Sequence, residues 1–119
     1  MLRMVKKIKG DDRVILISDA FIDRGPVPSE GYEGVDDINF DFSGEIAGTR
    51  LTMDLACRNM MTHTGCSLCQ VFGYASRNPA RMLGLTDRGE IEKGYVANLT
   101  AVDPEFNIKH VFLKGELIK

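Results

Sequence analysis

Val14-Ile15-Leu16-Ile17-Ser18-Asp19-Ala20 is the stretch on which the fold reading turns. Four branched or γ-branched apolar residues in a row, with no polar alternation, predict a strand covered on both faces, as in a parallel sheet. Ser18-Asp19-Ala20 closes it. A carboxylate at the C-terminal end of a buried parallel strand stands where barrel and doubly wound enzymes place their chemistry. Asp19 could equally cap a turn or a short helix, and the residues alone leave the two readings level.

Upstream, Leu2, Val5 and Ile8 recur at spacing three and predict the last turns of a helix closed by Gly10, with Asp11-Asp12 starting a turn. Downstream, residues 21 to 48 are rich in breakers (Gly25-Pro26, Pro28, Gly31, Gly34, Gly44, Gly48). Within them Ile38, Phe40 and Phe42 alternate with Asn39, Asp41 and Ser43, the pattern of a half-buried hairpin arm. A long excursion after a strand bearing a carboxylate suits a substrate-binding loop or a decorated connection.

Thr49 is the expected N-cap of a helix whose stripe is Met53, Ala56, Cys57, Met60 and Met61, ending near Gly65. Ser67 caps a second helix with Leu68, Val71, Phe72 and Ala75 on one face. Asn78-Pro79 reads as the start of a third, which Gly84 ends. After Gly89 the texture changes to short strands, 97–102, 108–113 and 116–118, separated by Asp103-Pro104 and the turn Lys114-Gly115. The expected order is strand, hairpin insert, helices, antiparallel β tail.

Composition narrows the function classes. In 119 residues, 15 Lys+Arg face 17 Asp+Glu, so no basic excess exists to neutralise nucleic-acid phosphates or an anionic membrane. No apolar run approaches the roughly 20 residues that cross a bilayer, and residues 1–7 lack the apolar stretch of a secretory signal. Three cysteines, an odd number, favour a reducing cytoplasm over a disulfide framework. Cys66 and Cys69 form a CxxC, but a structural zinc site needs four ligands, and His63 alone does not complete it. Cys57 lies on the apolar stripe and reads as core. His110 alternates with Ile108 and Phe112 in a strand and lacks the orienting partner of a base. No phosphate-binding loop, dinucleotide fingerprint, nucleophile elbow or HExxH motif occurs. Asp12, Asp23, Asp36, Asp37 and Asp54 read as solvated loop and helix-start acids.

Several strings, in order, carry a resemblance: VILISDA at Val14–Ala20, GEIAGTRLTM at Gly44–Met53, ASRNPARMLGL at Ala75–Leu85, RGEIEKGYVANLT at Arg88–Thr100 and VFLKG at Val111–Gly115. Together they resemble the C-terminal part of the N-acetylglucosamine-6-phosphate deacetylase family of the amidohydrolase superfamily, over nearly all of the chain. The resemblance implies an α/β fold. Residues 1–86 would be the C-terminal part of a metal-dependent (β/α)8 hydrolase barrel, with its last strand, a hairpin insert and helices. Residues 87–119 would be the C-terminal strands of a small β-sandwich. Asp19 matches the catalytic aspartate, which takes a proton from the attacking water and delivers it to the leaving amine. Ile46, Ala47 and Gly48 match positions contacting an amino-sugar phosphate substrate. The implied cofactor is a divalent metal, zinc or similar. Its glutamate and two histidine ligands lie on earlier strands of the family and match no residue here. A whole barrel takes roughly 250 residues. The chain by itself is therefore expected to be inactive, a fragment or one piece of a split enzyme whose partner is the missing N-terminal part of the barrel. A non-catalytic remnant and a fragment of another amidohydrolase, a deaminase or cyclic-amide hydrolase, are the alternatives. A strand without barrel neighbours is expected to self-associate as a homo-oligomer, or to pair with the hairpin or the tail.

Overall fold

The stripe Met53, Ala56, Cys57, Met60 and Met61 becomes the buried side of helix α2 (Met53–Thr64) in the computed structural model, which describes residues 1–21, 25–28, 30–32 and 34–119. Ala56, Cys57 and Met60 are buried and Met61 packs against the same core, while Met53 stays exposed. Gly65 ends the helix in the left-handed region (φ 70°), its N–H donating to the Met61 carbonyl. The other boundary differs from expectation. Thr52, not Thr49, precedes the helix, because Thr49 ends a strand and its hydroxyl donates to the Ser18 carbonyl.

Helix α3 (Leu68–Phe72) opens on Ser67 as expected. Ser67 Oγ accepts from the Gln70 N–H and Gln70 Oε1 accepts from the Ser67 N–H, a reciprocal capping box. No break follows at Asn78-Pro79. The chain stays helical through a π-helical turn, Gly73–Arg77, into α4 (Asn78–Met82). Pro79 has no N–H to give, and the wider turn before it accommodates the missing donor and the ring. Asn78 consequently lies in helical conformation, 3% exposed, and acts as a tether: its Nδ2 donates to the Asp11 and Val14 carbonyls, each at 2.7 Å. Gly84 (φ 68°) follows the last turn as expected.

The Val14–Ile17 run departs most from its reading. Val14 is buried, and the Leu16 N–H donates to the Tyr74 carbonyl at 3.0 Å, but Ile17 is 71% exposed and no strand among the described residues pairs with the run. Coverage of both faces needs strands at each edge and elements over each face. Val14 and Leu16 instead pack into the helical core beside Cys57, Met60, Val71 and Tyr74. The end of the segment reaches the hairpin, where Ala20 forms a single parallel bridge with Thr49. Helix α1 (Leu2–Lys9), before it, ends at Gly10 as expected, yet Leu2, Val5 and Ile8 are all exposed.

Strand β1 (Ile38–Phe40) pairs antiparallel with β2 (Ile46–Thr49), the expected hairpin. A register shift between Asn39 and Phe40 interrupts the alternation, so both are buried, while Phe42 falls beyond the strand and is exposed. The tail is a three-stranded antiparallel sheet in the order β3 (Leu99–Val102), β4 (Ile108–Leu113), β5 (Glu116–Leu117). Lys114 and Gly115, both at positive φ (51° and 87°), make the tight turn whose twist matches the strands. Between β3 and β4, Phe106 enters the helical core beside Val71, Tyr74 and Cys57, its ring 5.1 Å from that of Phe72. No helix among the described residues is long and apolar enough to cross a membrane.

Candidate active site

Asp19 and the end of strand β2, Gly48-Thr49, far apart in sequence, meet in the structure, with Ile46 and Ala47 earlier on the same strand. The Thr49 N–H donates to the Asp19 carbonyl at 2.9 Å, the Phe21 N–H to the Thr49 carbonyl at 3.3 Å, and the Thr49 hydroxyl to the Ser18 carbonyl at 2.6 Å. Gly48, at φ 151°, lies against Asp19 so closely that only a residue without Cβ fits. Beneath them Asn39, 2% exposed, donates from Nδ2 to the Phe21 and Thr49 carbonyls at 2.5 and 3.1 Å, and its Oδ1 accepts from Arg50 Nε at 2.9 Å.

Asp19 itself is at φ 51°, a left-handed conformation uncommon outside glycine but tolerated by aspartate. It is exposed, and its carboxylate has no hydrogen-bond partner among the described residues. Ala47 and Gly48 are half-buried and Ile46 is exposed. The arrangement offers an exposed carboxylate on a fixed backbone, free to exchange a proton with a ligand that reaches it. A cleft of about 400 Å³ lies elsewhere, beside α1, walled by Arg3, Lys6 and Gln70.

The remaining candidates are not drawn together. His63 and His110 are exposed, and among the described residues no three His, Cys, Asp or Glu side chains cluster as a metal would require. The described residues therefore do not assemble a divalent-metal site. Cys66 is in the core and Cys69 on the surface, all three thiols are free, and burial pushes the Cys57 thiol up to about 11. Asp54 forms a 2.7 Å ion pair with Arg58; its carboxyl is held below the usual range first by the Thr52 hydroxyl. Asp23 lies outside the described residues.

Sequence reasoning missed the anchors. Asp11 accepts from the Tyr74 hydroxyl at 2.5 Å and from Gln70 Nε2 at 2.8 Å, which together hold its carboxyl below the usual range and the segment leading to Asp19 against the helix. Asn39 sits at the strand shift, where nothing in the local pattern marks it. Asn78 carried a signal, but one indistinguishable from a helix cap.

Residues 4–118 match the amidohydrolase family. The chain belongs to that family. This amidohydrolase chain is 33% identical, over 122 aligned positions, to N-acetylglucosamine-6-phosphate deacetylase of Lysinibacillus sphaericus, an alignment covering 98% of the chain and 32% of the relative. It is 36% identical over 76 positions to N-acetylgalactosamine-6-phosphate deacetylase of Escherichia coli O157:H7, covering 63% of the chain and 20% of that protein. Its fold superposes on the crystal structure of N-acetylglucosamine-6-phosphate deacetylase from Thermotoga maritima with a TM-score of 0.83 at 28% identity, over 100% of the chain and 34% of that structure. The amidohydrolase chain thus spans about a third of the length of the Lysinibacillus and Thermotoga proteins.

Proposed function

We propose that this chain supplies the proton-transfer carboxylate and one substrate-facing turn of an amide hydrolase that converts N-acetylglucosamine 6-phosphate to glucosamine 6-phosphate and acetate. The apposition of Asp19 with Gly48 and Thr49, at the end of the strand that carries Ile46 and Ala47, in a chain similar to such deacetylases, supports this reading. Hydrolysis adds water to the acetamide carbonyl carbon and breaks the C–N bond. One proton must leave the water and one must reach the departing amine. Asp19 does both, first as acceptor and then as donor, and its lack of a hydrogen-bond partner leaves it free to do so. Ile46, Ala47 and Gly48 bring backbone to the sugar phosphate. Residues 1–86 form the C-terminal part of the hydrolase barrel and 87–119 the last strands of its small sandwich. The site of action is the cytoplasm, in keeping with three free thiols.

The activity of the family calls for a divalent metal, whose ligands the described residues do not assemble. The 119-residue chain alone is accordingly inactive, and turnover needs a polypeptide supplying the remaining two thirds of the barrel. Acetate release is measured with N-acetylglucosamine 6-phosphate and zinc, for the chain alone and together with the complementary segment of a relative. Activity should appear only with both pieces and fall by roughly 10²-fold or more in Asp19→Asn. Turnover by the single chain overturns the claim of inactivity, and complemented turnover indifferent to Asp19→Asn overturns the role of Asp19. The similarity to an N-acetylgalactosamine-6-phosphate deacetylase favours that epimer as the second reading, and the same assay with it decides between them.

A further inference from the structure

Aspartate tolerates a φ of 51° but does not prefer it, so the surroundings decide whether Asp19 stays there. Around Asp19 most of the hydrogen bonds come from one residue. Thr49 bonds the chain before, at and after Asp19: its hydroxyl donates to the Ser18 carbonyl (2.6 Å), its N–H to the Asp19 carbonyl (2.9 Å), and its carbonyl accepts from the Phe21 N–H (3.3 Å). The two backbone bonds are open to most residue types, but the first needs a hydroxyl. That hydroxyl is saturated from the other side too, accepting from the Leu51 N–H at 3.0 Å. Thr49 is in turn held by Asn39, whose Nδ2 bridges the Thr49 and Phe21 carbonyls and ties both ends of the loop to the hairpin.

We propose that Thr49 is the positioning residue of Asp19, its hydroxyl fixing the Ser18–Asp19 peptide and so the direction in which the carboxylate leaves the chain. The proposal rests on the reading of Asp19 as the proton-transfer group, but the placement is testable without turnover. A valine at 49 keeps the shape and leaves the Ser18 carbonyl and the Leu51 N–H without their partner. A serine keeps the hydroxyl.

The test is solution NMR on the full 119-residue chain, comparing the parent with Thr49→Val, Thr49→Ala and Thr49→Ser. The backbone couplings and α-carbon shift of Asp19 report its positive φ, and hydrogen exchange reports the amides of Thr49, Cys57 and Met60. Thr49→Val or Thr49→Ala should shift the Asp19 reporters away from positive φ and speed exchange at Thr49 by about fivefold or more, with Cys57 and Met60 unchanged. Thr49→Ser should restore the parent values. Asp19 reporters unmoved by loss of the hydroxyl overturn the proposal. So does global unfolding of both hydroxyl-free variants alongside a folded Thr49→Ser, since the hydroxyl would then serve the fold at large. Should the reporters move while complemented turnover is insensitive to Asp19→Asn, the positioning stands and the proton-transfer reading falls.

Discussion

A Cβ built on Gly48 would stand 2.6 Å from the carbonyl oxygen of Asp19 and 3.2 Å from Cβ of Phe21. The contact is with backbone that Thr49 and Asn39 already pin, so it has nowhere to relax. Gly48→Ala should cost about 2–3 kcal/mol, through overpacking and through a φ of 151° that alanine rarely adopts. The measure is the urea midpoint, together with displaced amide signals at Asp19 and Phe21. A variant as stable as the parent would show that the two segments are not apposed.

Asn78 is buried with both Nδ2 hydrogens committed, one to the Asp11 carbonyl and one to the Val14 carbonyl. Asn78→Ala strips two carbonyls of their donor and should lose about 2–4 kcal/mol. Hydrogen exchange should show the Leu16 amide, which donates to the Tyr74 carbonyl, losing protection ahead of α2. Equal loss at both sites would contradict a tether specific to the 11–16 segment.

Stability should fall at both extremes of pH. The Tyr74 hydroxyl and then Gln70 hold the Asp11 carboxyl below its ordinary 3.8 against the opposing effect of burial, and the Asn107 side chain and N–H, then Lys109, do the same more strongly for Asp103. Because both folded values are depressed, their contribution is fully present above the unfolded value and is lost as pH falls through the lower, folded one. The urea midpoint should therefore drop below pH 3.8, and Asp103→Asn should blunt the drop. Tyr74 runs the other way. Burial first, then the bond to Asp11, raises its phenol above the ordinary 10.0, so its contribution is present below that value and disappears as the pH climbs past it. A midpoint flat from pH 7 to about pH 2.5 would refute the acidic half of this account.

One thiol should react in the native chain. Cys69 is exposed, whereas Cys57 and Cys66 are buried, and Cys57 is further protected by a thiol raised to about 11. Titration with a chromogenic disulfide at pH 8 should label one cysteine natively and three in denaturant, and Cys69→Ser should abolish the native reaction. Rapid labelling of two would point to an accessible CxxC pair instead.

The amphipathic stripe of α2, the Ser67 capping box, the hairpin around Ile38–Phe40 and the three-stranded tail were all legible in the chain, because each depends on periodicity or a cap acting over a few residues. Asp19 and Ile46-Ala47-Gly48 were singled out as candidates by resemblance, not by periodicity. What the sequence could not state is which faces find neighbours. Ile17 and the stripe Leu2, Val5, Ile8 carry the pattern of buried elements yet face solvent among the described residues, since burial depends on what packs there. Asn78 reads as a cap and is a tether, because a π-helical turn carries the helix past Pro79. Local pattern thus determined most of the elements, and the resemblance, not the pattern, the candidate carboxylate. Tertiary structure decided that Thr49 bonds the backbone around Asp19 rather than capping a helix and that Asn39 bonds Thr49 in turn, because hydrogen bonds between residues 10 to 31 positions apart leave no mark on local composition.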